Sequence, residues 1–284
     1  MTSIVIPAHN EARVIGRLLD ALLADPAGDE DETDIVVVCN GCTDDTARVA
    51  AARGPRVRVV EIPVPSKHTA LRTGDDHARG FPRLYVDADV VITPADVRAL
   101  TAPLDDDASD ILATAPERHI PLAGCAWPVR AYYRVWQRLP AVREGLFGRG
   151  VIAVSKAGQA RLAALPPLMA DDLAASLAFD APERRVVGAA RVVVHPPRTW
   201  RDLIRRRIRA AVSTAQVEQR QDSGRASART SRADLLALLR EDPALLPGLV
   251  VFLAAALVAR RGARKAIRAQ DFGTWLRDES SRRT

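Results

Sequence analysis

The feature that most limits what this chain can fold into is the exchange, over its first half, of short apolar runs with stretches of helical periodicity. Ile35-Val36-Val37-Val38 presents apolar side chains to both sides of the pleat, as a strand covered on both faces requires. Ile15, Leu18, Leu19, Leu22 and Leu23 recur at helical spacing and predict a helix with one buried face. Ser3 to Ile6 (closed by Pro7), Val57 to Ile62 and Leu84 to Val86 read as further strands. Helices are expected over Thr43 to Ala52 and from about Ser66 to Gly80, and Thr93-Pro94 supplies a capping hydroxyl followed by a proline suited to the first helical position. Ile111-Leu112, Val151 to Val154 and Val192 to Val194 are the remaining expected strands. Such alternation predicts an α/β protein with a single doubly wound, mainly parallel sheet flanked by helices.

Composition removes several alternatives. A chain of 284 residues with 48% hydrophobic content has the apolar material that disordered chains lack. Cys39, Cys42 and Cys125 are too few for a disulfide scaffold, so a reducing interior is expected. The Cys39-x-x-Cys42 spacing has no second ligand pair, which argues against zinc or redox chemistry. No charged segment, apolar stretch and cleavage site open the sequence, so the expected address is the cytoplasm, with the inner face of the cell membrane as an extension of it.

The net charge is +6, and much of the basic excess sits beyond residue 198. Nucleic acid, an acidic membrane surface and a polyphosphate ligand all suit such a surplus. The expected organisation is an α/β domain over 1–212, a polar linker or mobile loop over 213–234 and a helical C-terminal appendage over 235–284. Within the appendage, Leu245 to Ala259 is almost wholly apolar and is followed by Arg260, Arg261, Arg264, Lys265 and Arg268. A buried helix or homodimer contact, an interfacial helix with a basic flank, and a full span are the three readings. The run falls short of the roughly 20 apolar residues that crossing a bilayer takes, so a span is the weakest of them.

In open parallel sheets, ligands bind beyond the carboxyl ends of the strands. Those positions hold Pro7-Ala8-His9-Asn10-Glu11, Cys39-Asn40-Gly41-Cys42-Thr43-Asp44-Asp45 and Asp87-Ala88-Asp89. An Asp-x-Asp at a strand end suits a hard cation such as Mn2+ or Mg2+, which prefers carboxylate oxygens and shares them with substrate phosphates. A cation so placed neutralises charge on a departing diphosphate. The plain alternative is a strand-end turn with two solvated acids.

Val5-Ile6-Pro7-Ala8-His9-Asn10-Glu11 resembles the opening of the family 2 glycosyltransferases, which have the GT-A fold. Val37 to Thr46 is similar to their second strand and turn, Lys67-x-x-Ala70-Leu71-x-x-Gly74 to the basic segment before their D-x-D, and Asp171-Asp172 to their acidic catalytic motif. The resemblance covers roughly residues 3 to 212 and rests on four motifs in the right order. It implies transfer of a sugar, of hexosyl type, from a nucleotide-diphosphate donor to a saccharide, lipid-linked or small-molecule acceptor. Pro7, Ala8, Asn10 and Glu11 would lie by the nucleoside, and Lys67 by the nucleotide or its phosphates. Asp89, with Asp87 nearer the sugar and ribose, would carry the cation, Ala88 between them would lie by the donor, and Asp172 beside Asp171 would be the general base, giving inversion at the sugar.

The chain departs from the family where an acidic residue commonly follows strand two: here stand Cys39 and Asn40, so Asn40 is the residue left to meet a base edge. His195, after the last expected strand, is a candidate to complete the metal shell, against packing at a strand end. Arg206-x-x-Arg209 resembles the family's diphosphate-gripping segment, but Ala210 follows in place of the tryptophan. Guanidinium forks suit phosphate in any case. Trp127 to Trp136 is aromatic and reads more as packing than as an acceptor groove.

Three rivals remain on the sequence. A nucleotidyltransferase would want a glycine-rich phosphate loop after strand one, which Pro7 to Glu11 is not. A nucleic-acid-binding module accounts for the arginines but not for an acid-lined crevice that repels phosphate. A non-catalytic nucleotide-sugar-binding protein is the remaining alternative.

Overall fold

A computed structural model describes residues 1–24, 33–105, 109–165, 171–220 and 230–268, with the backbone alone for Asp171, Asp172, Ser213 and residues 215–220. The chain opens with β1 (Thr2–Ala8), α1 (Ile15–Leu22), β2 (Thr33–Asn40), α2 (Thr46–Ala51), β3 (Val57–Ile62) and α3 (Lys67–His77). It continues through β4 (Arg83–Val86), β5 (Val90–Val91), α4 (Pro94–Thr101), β6 (Ala113–His119), α5 (Trp127–Trp136) and α6 (Pro140–Glu144). Then come β7 (Val151–Val154), α7 (Lys156–Ala163), α8 (Asp171–Leu177), β8 (Arg184–Val194), α9 (Trp200–Arg220), α10 (Arg232–Glu241) and α11 (Leu246–Arg268).

Contacts divide the chain into two compact units, one of Met1–Ile120 with Leu146–Val194 and one of Pro121–Gly145 with the chain from His195 onward. The first unit holds an eight-stranded sheet in the order β3-β2-β1-β4-β7-β6-β8-β5. Pairings across β3, β2, β1 and β4 are parallel. β7 runs antiparallel to β4 and β6, β6 and β8 are parallel, and β5 is antiparallel to β8.

That order forces the sheet to curl. Four strand spacings separate β4 from β5, about 19 Å if the sheet were flat. Only Asp87-Ala88-Asp89 joins them in the chain, and the four residue steps from Val86 to Val90 reach at most about 14 Å. The two acids therefore sit where the sheet closes back on itself.

Local causes match the sequence closely in the first half. α1 buries Ile15, Leu18, Leu19 and Leu22, four of the five residues whose spacing predicted it, and Leu23 is half-buried at its C-terminal cap. Ser66 caps α3 by accepting from Thr69 N at 3.2 Å, and Thr93 with Asp96 forms a capping box at α4. β1 continues past Pro7 to Ala8, beyond the expected end. Pro7 brings no N–H to the ladder, but pairing with β4 stops at Val5, so the β4 side demands none there.

The far strands depart further. Ile111-Leu112 precedes the sixth strand instead of forming it, and β6 carries Pro116, Glu117 and Arg118. β8 begins at Arg184, eight residues before the expected Val192, with Gly188 and several arginines inside it.

In the second unit, α5, α9 and α11 pack together. Tyr132 is buried and stacks on Phe252 with ring centroids 5.3 Å apart. A Cβ on Gly262 would fall 2.5 Å from Ile208 Cδ1, so α11 and α9 approach closely. The aromatic segment of α5 is thus largely packing, with Tyr133 and Trp136 edge to face at 5.6 Å. Part of the expected linker is helix: α9 runs on to Arg220, because Ala215-Gln216-Val217-Glu218-Gln219-Arg220 is rich in good helix formers. Residues 221–229 of that linker lie outside the described residues. α11 likewise outruns the apolar stretch and carries the basic residues to Arg268 on one continuous helix.

Candidate functional site

The carboxyl ends of β2, β1 and β4 are neighbours in the sheet, which brings the three polar strand-end segments side by side. Side chains lock the first two together. Asn10 adopts a left-handed backbone, φ 53°, which asparagine tolerates better than most residues. Its Oδ1 accepts from Thr43 N at 2.7 Å, and Glu11 N donates to Thr46 Oγ1 at 2.8 Å. Ala12 N donates to Asp44 Oδ2 at 3.2 Å, and the other oxygen of Asp44 accepts from Thr46 N and Thr46 Oγ1. From the strand side, His9 Nδ1 meets Asn40 O at 2.6 Å.

Asn40 is buried, and its amide donates to Ala8 O at 2.9 Å. That bond commits one amide N–H to the neighbouring strand, so the side chain braces the loop from behind. Cys42 is half-buried and approaches both Asn10 N and Ala8 O at 3.4 Å. Burial, and secondarily the neighbouring Cys42, push the Cys39 thiol up to about 12.

At the end of β4, Asp87 N donates to Gly150 O at 2.8 Å, and Lys67 Nζ reaches Asp87 Oδ1 at 2.9 Å. Both side chains of that pair remain over a third exposed, so the contact is a solvent-facing pairing that a ligand can share. Ala88 is buried while Asp87 and Asp89 on either side are half-buried, so the alternation sends both acids away from the core. Gly150 faces them with φ 69°, and a Cβ there would lie 2.5 Å from Val90 Cγ1 and 3.4 Å from Asp87 Oδ2.

A cavity of about 120 Å³ opens beside this pair. Lys67, Asp87 and Pro7 stand among its lining, with aliphatic walls from Leu71, Ile152 and Leu162. Asp75, also in its wall, accepts from Arg83 and Tyr85 OH, each at 2.8 Å, and from Gln159 Nε2 at 3.1 Å. Burial, followed by the Asp75 charge, pushes the Tyr85 hydroxyl far above its ordinary range, so it stays a proton donor.

The sequence profile of Glycosyl transferase family 2 matches residues 3–154, more than half of the chain, and takes in all three of these strand ends. The chain belongs to glycosyl transferase family 2.

Curated family relatives include an uncharacterized glycosyltransferase of Mycobacterium tuberculosis, 37% identical over 126 residues, or 44% of this chain and 52% of that protein. An undecaprenyl-phosphate 4-deoxy-4-formamido-L-arabinose transferase of Shewanella sediminis is 31% identical over 109 residues, 37% of this chain and 33% of that one. The match thus spans about half the length of the mycobacterial relative and a third of the other. Among solved structures, a mannosyltransferase of Pyrobaculum calidifontis in complex with GDP-Man and Mn2+ aligns with a TM-score of 0.57 at 22% identity, over 97% of this chain and 83% of that one. Glucosyl-3-phosphoglycerate synthase of Mycobacterium tuberculosis, in complex with Mn2+, UDP and glucosyl-3-phosphoglycerate, aligns at 0.54 and 24% identity over 79% and 82%. These likenesses show the fold, which is GT-A.

For this family member, the expected site residues divide three ways. Pro7, Ala8, Asn10, Glu11, Asn40, Lys67, Asp87, Ala88 and Asp89 all lie in the first unit at or beside adjoining strand ends. Asp171 and Asp172 begin α8 in that same unit, and their side chains lie outside the described residues. His195, Arg206 and Arg209 belong to the second unit, where Arg206 Nη1 donates to His195 O at 3.4 Å.

Among the described residues, no group of three or more His, Cys, Asp or Glu gathers at metal-holding distance. Asp87 and Asp89 are two acids, so a cation held there would need further oxygens from a ligand or from water. Sequence reading passed over Asp75 and Arg149. Asp75 draws partners from 8 to 84 residues away, so nothing local marks it. Arg149 is buried, donates to Pro116 O at 2.7 Å and is brought down to about 10 by burial. Its place directly before Gly150 is the one linear signal.

Proposed function

We propose that the chain transfers a sugar, of hexosyl type, from a nucleotide-diphosphate donor to an acceptor hydroxyl, with inversion. One observation carries the reading: three adjacent parallel strands end in a clasped pair of polar loops beside a half-buried Asp-x-Asp whose first acid already holds a lysine.

In this reading the clasp of Asn10, Thr43, Asp44 and Thr46 fixes the loops that flank the nucleoside, with Glu11 facing it. Asn40 supports the clasp from beneath, as its bond to Ala8 O suggests. Lys67, which pairs with Asp87 in the structure, turns towards the donor phosphates. Asp89 and Asp87 would hold a divalent cation, Mn2+ or Mg2+, which when bound offsets charge on the leaving diphosphate. Asp172, carried at the start of α8, takes the proton from the acceptor hydroxyl as that oxygen attacks the anomeric carbon from the face opposite the diphosphate. The Mn2+ and nucleotide-bound states named for the mannosyltransferase and the phosphoglycerate synthase support the cation and the donor class.

The test is a thermal-shift panel of nucleoside diphosphates and their sugars with and without Mn2+, followed by an assay of released nucleoside diphosphate. A donor present at a hundred times its Kd should stabilise the fold by about 2.7 kcal/mol. Asp89→Ala should remove the Mn2+-dependent part of that shift and abolish transfer; equal activity at saturating donor refutes the metal assignment. Asp172→Asn should keep the donor shift while turnover falls by about 10²- to 10⁴-fold. Donor binding without any turnover in the wild type would favour the non-catalytic sugar-nucleotide-binding alternative.

A further inference from the structure

α11 carries two faces of opposite character. Gly248, Phe252, Ala255, Ala259 and Ala263 are buried, and they recur at helical spacing on the side that meets α5 and α9 in the second unit. The opposite side is open. Leu246, Val250, Leu253 and Leu257 are between 48% and 61% exposed, large apolar side chains facing outward on successive turns.

The stripe continues along the same side with a change of chemistry. At 100° per residue, Arg260, Arg261, Arg264 and Arg268 fall within about 60° of the line through Leu246 and Leu257, and all four are exposed. From Leu246 to Arg268 the helix contains no acidic residue. One outward face is therefore apolar for roughly 17 Å and cationic for the remaining roughly 16 Å.

Self-association through this face would bring like charges together in a parallel pair and lay arginines on leucines in an antiparallel one, which disfavours a second copy as the occupant. The segment Pro243–Arg268 is long and apolar enough to cross a membrane by length and composition, with a mean hydropathy of 2.0 over its most apolar window. Spanning, however, would draw in the helices packed on its other face. α5 carries Arg130 and Arg134, and α9 carries Arg205, Arg206, Arg207 and Arg209. Charges at the bilayer centre are costly, whereas a helix lying in the interface buries its apolar side and leaves cations among the headgroups.

We propose that the outward face of α11 seats the protein on an anionic lipid surface, with Leu246 to Leu257 entering the acyl boundary and Arg260 to Arg268 meeting the headgroups. Apolar insertion supplies the hold. The cations set the preference for negative lipid and make that preference sensitive to salt. The inference is independent of the transfer reaction, since it uses no residue of the donor site.

The test is co-sedimentation of the full chain with vesicles of phosphatidylcholine alone and of phosphatidylcholine mixed with phosphatidylglycerol. The wild type should pellet with the anionic vesicles and at least tenfold more weakly, as a rough estimate, with the neutral ones. Raising the salt to about 0.5 M should narrow that difference without any mutation. Leu253→Glu with Leu257→Glu should cut binding to either vesicle by about a hundredfold, while Arg261→Glu with Arg264→Glu should erase the preference for the anionic ones. A cooperative thermal unfolding midpoint close to that of the wild type in both variants shows that each is folded. The proposal is overturned if the wild type stays in the supernatant, if both vesicles bind it equally, or if the leucine variant pellets as the wild type does. It is equally overturned if the leucine variant merely converts a dimer to a monomer in sedimentation velocity.

Discussion

The two halves of the sheet are built on different terms. β1 and β2 are buried along nearly their whole length, and α3 packs against both of them. β6 keeps only its first four residues buried, and β8 alternates irregularly between buried, half-buried and exposed positions. The parallel half is over-determined: a shift of register would move buried residues against helices already packed on them. β6 and β8 take up a register irregularity between Pro116 and Glu117 and accommodate arginines, a proline and a glycine. A crevice whose loops must hold a ligand in fixed geometry benefits from the first kind of strand, and the clasped loops of β1 and β2 stand at its ends.

Two glycines sharpen this comparison, one in each half. Gly74 of α3 faces β1, and a Cβ there would fall 2.2 Å from Val5 Cγ1. Gly188 within β8 would place a Cβ with nothing inside 4 Å. Gly74→Ala should therefore destabilise the fold by about 2–3 kcal/mol, because neither a strand centre nor a packed helix can give way by an ångström. Gly188→Ala should be neutral or stabilise by up to about 1 kcal/mol, because a strand residue gains from leaving glycine. Urea melts of both variants decide it, and equal losses would mean that the two halves are packed alike.

The same contrast explains what the sequence disclosed. Ile35 to Val38 and the leucine spacing of α1 announce β2 and α1, because covered parallel strands and one-sided helices leave strong periodic signals. β8 left only Val192 to Val194 visible, since Arg184-Arg185 carry no strand pattern and are held by pairing with β6, and Gly188-Ala189-Ala190 fall where that register breaks. At the site, motif order pointed to Asn10, Lys67, Asp87 and Asp89, which stand at or beside neighbouring strand ends. What could not be read is which bonds they make. The donation of Asn40 to Ala8 O and the gathering of Arg83, Tyr85 and Gln159 on Asp75 are long-range outcomes of the sheet order.

Asn10 tests whether the rigid half serves the donor. Its side chain closes the gap between the β1 and β2 loops by accepting from Thr43 N. Asn10→Gly keeps the left-handed backbone accessible and removes only that acceptor. Losing the two hydrogen bonds that Thr43 N and Thr43 Oγ1 make to it should weaken donor binding by about tenfold, or roughly 1.4 kcal/mol, with little change in the unfolding midpoint of the unliganded protein. Isothermal titration with the donor found by the thermal-shift panel gives the number. Unchanged affinity would sever the clasp from the donor site.

The smallest effect concerns Cys39, which lies in the covered end of β2 at 1% exposure. Its thiol is raised from 9.0 to about 12 by burial and by the neighbouring Cys42. The folded state therefore keeps this proton in a range where the unfolded chain has lost it. A raised folded value is a contribution present below pH 9, where both states hold the proton, and eroded as pH climbs from about 9 towards 12. By pH 10 the erosion amounts to about 1.4 kcal/mol relative to pH 8. Cys39→Ala costs stability at every pH through the small cavity it leaves, but it removes this slope. Its deficit against the wild type should thus shrink by about 1 kcal/mol between pH 8 and pH 10 in urea melts. A deficit constant across that interval would mean that the end of β2 admits water, and the covered half of the sheet would lose its claim to be the more rigid frame.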